Sequence, residues 1–129
     1  LPRTDQIKAA VAVQPFSPAV FSQRFATDLL GPLGKVLSTL TELVYSTIGG
    51  LRLSAVEPIF SVSGAGQTPV LYVQGNGDPW GSAENVGQMV AHTPNAIAPL
   101  FINSVGRFDA YQHIIDNPEL IDGFFRQYI

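Results

Sequence analysis

The chain has 129 residues, with seven basic and ten acidic side chains, two histidines and no cysteine. The missing cysteine excludes disulfides, Cys-ligated zinc or iron–sulfur centres and a thiol nucleophile. A net charge of −3, with basic residues scattered singly from Arg3 to Arg126, excludes the basic patch that nucleic acid requires.

Only 13% of the residues are charged, about half the ~25% of an average soluble domain, while 46% are hydrophobic. Such a chain is expected to bury a second face against another polypeptide. Membrane insertion does not explain the apolar excess. The two long stretches without Asp, Glu, Lys or Arg, Pro58–Gly77 and Asn85–Gly106, are broken by Pro and Gly. Neither makes a spanning helix of ~20 apolar residues. The start, Leu-Pro-Arg-Thr-Asp, has no initiator Met and no basic-then-apolar leader. It therefore reads as a processed product or a fragment, of a length that suits one domain or part of one.

In chain order, Ile7–Val13 is short and apolar and stops before Pro15, which predicts a strand buried on both faces. From Pro18 to about Gly50 the period becomes helical. Phe21, Phe25 and Leu29 fall four apart, and Val36, Leu37, Leu40, Leu43 and Val44 make an amphipathic stripe. Gly31-Pro32 divides this region into two helices, and Gly49-Gly50 ends the second. Leu51–Gln67 is ambiguous, with a Ser/Gly-rich end that reads as loop.

Pro69–Gln74 is a second buried strand, ended by Gly75-Asn76-Gly77-Asp78-Pro79. Ser82 can cap a helix to about Ala91 with Val86, Met89 and Val90 inward, and His92 suits its C-terminus as a capping cation. Pro99–Val105 is the third strand. After an irregular stretch, Asp116 or Asn117 caps a last helix with Pro118 at its first position and two adjacent apolar rows. The order β, αα, β, α, β, α predicts an α/β fold, a mostly parallel sheet with flanking helices. Three strands leave two bare edges, so further strands are expected beyond this chain.

Open parallel sheets gather function at the carboxyl ends of their strands. Here those ends are Gln14–Ser17, Gly75–Trp80 and Gly106–His113. Asp78 sits on a tight Gly-rich turn, where it can point across the sheet or simply close an Asx turn before Pro79. His113 lies between the last strand and the last helix, as a candidate base or as an ordinary surface or core histidine. Two histidines 21 apart, with no carboxylates at ligand spacing, do not make a metal site.

The segment PVLYVQGNGDPWGSAENV resembles the acid-bearing segment of α/β-hydrolases, matching Gly-x-x-Asp-Pro at Gly75, Asp78 and Pro79. PLFINSV, GRFDAYQ and DNPELIDGFFRQYI resemble that family's final strand, histidine loop and last helix, and IKAAVAVQPFSP the strand after the nucleophile helix. The resemblance spans residues 1–129 as the second half of such a domain, with residues 18–62 as a helical cap or excursion. It implies a serine hydrolase acting on a small ester without a cofactor. In it Asp78 would be the acid, His113 the base, and Phe16 and Trp80 would line an acyl pocket.

Two departures stand against this. Gly-x-Ser-x-Gly is absent, so the nucleophile would come from an N-terminal half of the fold, in a separate chain or another segment. Where members of the family carry Gly-His-Phe/Tyr-Asp-x-Tyr, this chain has Gly106, Arg107, Phe108, Asp109 and Tyr111. A guanidinium cannot act as a general base. The alternative is a non-catalytic interaction module, with a homo-oligomer as its assembly. A third reading takes Gly75, Gly77 and Gly81 as a dinucleotide turn, but a carboxylate and a proline at that helix entrance oppose pyrophosphate binding.

Overall fold

The computed structural model describes residues 7–129, so the opening Leu-Pro-Arg-Thr-Asp lies outside them. Three strands, β1 (Ala10–Val13), β2 (Val70–Gly75) and β3 (Leu100–Ile102), form an all-parallel sheet in the order β1-β2-β3. Ala12 pairs with Tyr72 and Val73 with Leu100, which fixes the register of the three strand ends. β2 is central and buried along its whole length, as its unbroken apolar run requires.

Side chains alternate across β2 and found two cores. On one face Val70 and Tyr72 pack with Ala65, Val86 and Met89. On the other, Leu71 and Val73 pack with Ile102, Ala110 and Phe124. The first face is covered by α4 (Ala83–His92) and the turn at Ala65, with α3 (Pro58–Val62) packed against α4, and the second by α5 (Asp109–Asp116) and α6 (Glu119–Tyr128). Tyr72 keeps its hydroxyl satisfied inside the first core through Thr93, at 2.7 Å.

Between β1 and β2 the chain makes a helical hairpin, α1 (Pro18–Leu30) and α2 (Pro32–Thr47). Ser17 caps α1 by accepting the Val20 amide at 3.0 Å, and Pro18 follows at the first helical position. Gly31, at φ 59°, reverses the chain before Pro32 opens α2. The helices meet through small residues. Gly34 lies against the backbone of Ala26, where a Cβ would come within 1.9 Å of the carbonyl oxygen. The Ser22 and Ser38 hydroxyls are 2.9 Å apart.

Several elements differ from the sequence expectation. Both outer strands are shorter, because only the residues opposite β2 find ladder partners. The stretch read as irregular contains α5, and Leu51–Gln67 folds as short helical turns around α3. The last helix has no side-chain cap. Pro118 stands at its N-cap, and Asn117 turns back to donate its side-chain N–H to the His113 carbonyl at 2.8 Å. The aliphatic stripe of α2 points outward, because Gly34 and Ser38 occupy the contact with α1.

The hairpin contact generates a paired prediction. Gly34→Ala should destabilise the fold by about 1–3 kcal/mol, since backbone must move to admit the methyl group. Gly87→Ala, on an exposed helical position with open space around its Cα, should stabilise it by about 0.5–1 kcal/mol. Urea unfolding of the two variants beside the parent measures both.

Candidate functional site

The turn after β2 brings Asp78 over the end of the sheet. The Asp78 amide donates to the Gly75 carbonyl at 3.2 Å, and the Gly77 amide to Ser104 Oγ at 2.8 Å. The Asx turn allowed by the sequence is present, with Asp78 Oδ1 accepting the Trp80 amide at 2.9 Å. The other carboxylate oxygen, Oδ2, accepts from Gln74 Nε2 at 3.2 Å and from Arg107 Nη1 at 2.9 Å. The Asp78 side chain is wholly buried and that of Arg107 is 12% exposed.

Arg107 arrives from the loop after β3 and touches all three strand ends. Its Nη2 donates to the Gln14 carbonyl at 3.1 Å. The guanidinium lies 5.0 Å from the centroid of the Phe16 ring and 4.9 Å from that of Trp80. Gln14, left-handed at φ 51° and 1% exposed, closes the arrangement. Its Oε1 accepts the Gly75 amide at 2.9 Å, and its Nε2 donates to the Arg107 carbonyl. Phe21 adds its ring edge-on to Trp80, with centroids 4.9 Å apart.

The loop carrying Arg107 is itself tied down. Asp109 Oδ2 accepts the Gly106 amide at 2.9 Å and the Val105 amide at 2.6 Å. Those two bonds, Gly106 first, hold the Asp109 carboxyl below its ordinary value.

Of the residues singled out by sequence, Asp78, Phe16 and Trp80 come together, with Arg107 among them. His113 stands apart on α5, half-buried, its carbonyl bound by Asn117, and its ring forms no hydrogen bond or ion pair with a described residue. His92 accepts or donates at Nδ1 with the Gln88 carbonyl, 2.8 Å away, at the end of α4.

Sequence reasoning missed the part played by Gln14 and Gln74. Their signal was the shared ending of two apolar strands, Val13-Gln14 and Val73-Gln74, a long amide where a buried strand meets its loop. Gln74 Oε1 is the one buried side-chain acceptor without a partner among the described residues. The glycines of the dinucleotide-like turn face protein rather than open space. A Cβ on Gly75 would meet Ser104 Oγ at 2.5 Å, and one on Gly77 the Ser104 carbonyl oxygen at 2.2 Å. Among the described residues no three His, Asp or Glu side chains gather as metal ligands.

No protein-family model and no curated protein matches the chain. Its structure is similar to that of an esterase from Pyrococcus furiosus, Pf2001, with a TM-score of 0.55 and 12% sequence identity. The likeness covers 97% of this chain and 47% of that one, so the chain spans about half the length of the esterase. At this identity the likeness is one of fold, an α/β arrangement of parallel strands and flanking helices.

Two predictions rest on this geometry. Arg107→Met should cost about 3–5 kcal/mol in urea unfolding, because it leaves a buried carboxylate unpaired. Arg107→Lys should recover little of that loss, since one ammonium cannot both reach two acceptors and stack between two rings. For Asp109, the depressed carboxyl contributes stability to the loop that is complete above the ordinary value of 3.8 and is lost as pH falls through the lowered one. In an NMR titration the Val105 and Gly106 amides should shift together with a midpoint below 3.8, and Asp109→Asn should abolish the transition.

Proposed function

We propose that this chain is the carboxylate-bearing half of an α/β-hydrolase-type domain in which the acid is held by arginine, so that the strand-end cluster works as a structural clamp. The observation that carries this reading is the buried Arg107–Asp78 pair, at 2.9 Å. A guanidinium stays protonated and cannot take a proton from a nucleophile. Asp78 already accepts three hydrogen bonds, from Trp80, Gln74 and Arg107. The half contributes a framework to a larger assembly. The polypeptide that completes it attaches at β1, an edge strand of the sheet. Beside β1 runs an apolar groove of about 240 Å³ lined by Ile7, Ala10, Ala12, Val62, Val70 and Tyr72 among others.

A second reading is favoured by the fold likeness to an esterase over nearly the whole chain. In it, a serine outside residues 1–129 attacks an ester carbonyl and His113 takes its proton. Asp78 orients the imidazole, and Phe16 and Trp80 line the acyl pocket. This requires Arg107 to leave Asp78 and the α5 segment to bring His113 to it.

Fluorophosphonate labelling and p-nitrophenyl acetate turnover of the protein as isolated from its source, whatever polypeptide accompanies it, separate the two. The clamp reading expects neither labelling nor turnover that depends on His113. A labelled serine, together with a His113→Ala loss of several orders of magnitude in kcat/KM, would overturn it in favour of the hydrolase.

A further inference from the structure

The turn after β2 holds a chemical motif that neither reading of the strand-end cluster uses. Asn76 is followed by Gly77, the one Asn-Gly pair in the chain. The Asn76 side chain is exposed and forms no hydrogen bond with a described residue. In an Asn-Gly pair the glycine nitrogen can reach the asparagine side chain, because glycine has no Cβ to crowd the approach. Here three amide hydrogen bonds oppose it. The Asn76 amide donates to the Ile102 carbonyl at 2.9 Å, the Gly77 amide to Ser104 Oγ at 2.8 Å, and the Asp78 amide to the Gly75 carbonyl at 3.2 Å. Ring closure needs rotation about the Asn76 Cα–C bond, which swings the Gly77 amide off Ser104. The loop after β3 stands against that swing. Gly77 lies so near it that a Cβ would come within 2.2 Å of the Ser104 carbonyl oxygen.

We propose that Asn76-Gly77 is a self-modification site that Ser104 keeps closed, and that its conversion releases Asp78 from Arg107. In the opened turn hydroxide takes the proton of the Gly77 amide, and the nitrogen attacks Asn76 Cγ. The N–Cγ bond forms, the Cγ–Nδ2 bond breaks, and the side-chain nitrogen leaves as ammonia with a proton from water. Water then opens the succinimide at either carbonyl, giving aspartate or isoaspartate. In isoaspartate the main chain runs through Cβ and Cγ, which adds one methylene, about 1.5 Å, between β2 and Asp78. Asp78 lies two residues on, and its 2.9 Å bond to Arg107 does not survive a displacement of that size. The release is the same whether the cluster is a clamp or part of a hydrolase site.

The test follows the whole chain at mildly alkaline pH. Mass spectrometry reads the change of amide to carboxyl in the Asn76 peptide, and methyltransferase labelling reads isoaspartate. The native chain should convert at least tenfold more slowly than the chain unfolded in guanidinium chloride. Ser104→Ala should raise the native rate at least fivefold and leave the unfolded rate unchanged. Gly34→Ala, which weakens the fold in the hairpin rather than the turn, should convert at the parent rate. Equal rates in the native and unfolded parent overturn the proposal, as does a Ser104→Ala rate equal to the parent's. Equal acceleration by Gly34→Ala and Ser104→Ala would place the gate in global unfolding and also overturn it. Trp80, the one tryptophan, reports the release, because Asp78 binds its amide and its ring lies 4.9 Å from the Arg107 guanidinium. Its emission should shift to longer wavelength in the isoaspartyl chain. In Asn76→Asp, which adds the charge without the methylene, it should match the parent. An unshifted isoaspartyl chain, or an equal shift in Asn76→Asp, overturns the release.

Discussion

Everything at the carboxyl end of the sheet depends on one ion pair removed from water. Arg107 comes from the loop after β3, Asp78 from the turn after β2, and the carbonyl of Gln14 from the end of β1. A single guanidinium therefore adds a side-chain tie among three chain segments that the backbone already links by the Gln14 amide to the Val73 carbonyl, at 2.8 Å, and the Asn76 amide to the Ile102 carbonyl, at 2.9 Å. Burying two charges is costly unless their remaining hydrogen-bonding capacity is filled. Here the carboxylate also accepts from Trp80 and Gln74, and the guanidinium donates a second time, to the Gln14 carbonyl, with two aromatic rings packed against it. The left-handed Gln14 is a consequence. Its backbone turns so that its side chain can reach the Gly75 amide and the Arg107 carbonyl at once.

The clamp also explains how so small a sheet holds its shape. Three parallel strands cannot bury both faces from strand contacts alone, and the two cores need α4 on one side and α5 and α6 on the other. Asp109 links these layers to the clamp, since the carboxylate that holds the Val105–Gly106 backbone is also in the first turn of α5. The arrangement leaves β1 as an edge strand with an apolar groove beside it, and the hairpin with an aliphatic outer face. Both are surfaces of the kind that a low-charge composition implies, one at the sheet edge and one on a helix.

Much of this was legible in the sequence where local chemistry decides the outcome. The apolar runs ending in Gln14 and Gln74 gave strands, Gly31-Pro32 divided a hairpin, and Ser82 capped α4, accepting the Asn85 amide at 3.1 Å. What was not legible depends on tertiary contact. The stripe on α2 has the period of a buried face, but periodicity cannot say whether that face meets its own chain. Gly34 and Ser38 took the internal contact because small residues let two helices approach closely. α5 was hidden because its polar residues mask the two positions that matter, Ala110 and Ile114 against the second core. Arg107 was visible as a departure from a histidine motif. Its partner was not, because an ion pair between residues 29 apart in sequence is set by the sheet register alone.

The most direct test of the clamp is a double-mutant cycle in urea unfolding with Asp78→Asn, Arg107→Met and the two combined. If the pair holds the strand ends together, the single changes are non-additive. The double variant then recovers stability relative to their sum, with a coupling of about 2 kcal/mol or more. Additivity within about 0.5 kcal/mol would mean that the two charges do not act on each other, and the account of this site as a structural ion pair would be wrong.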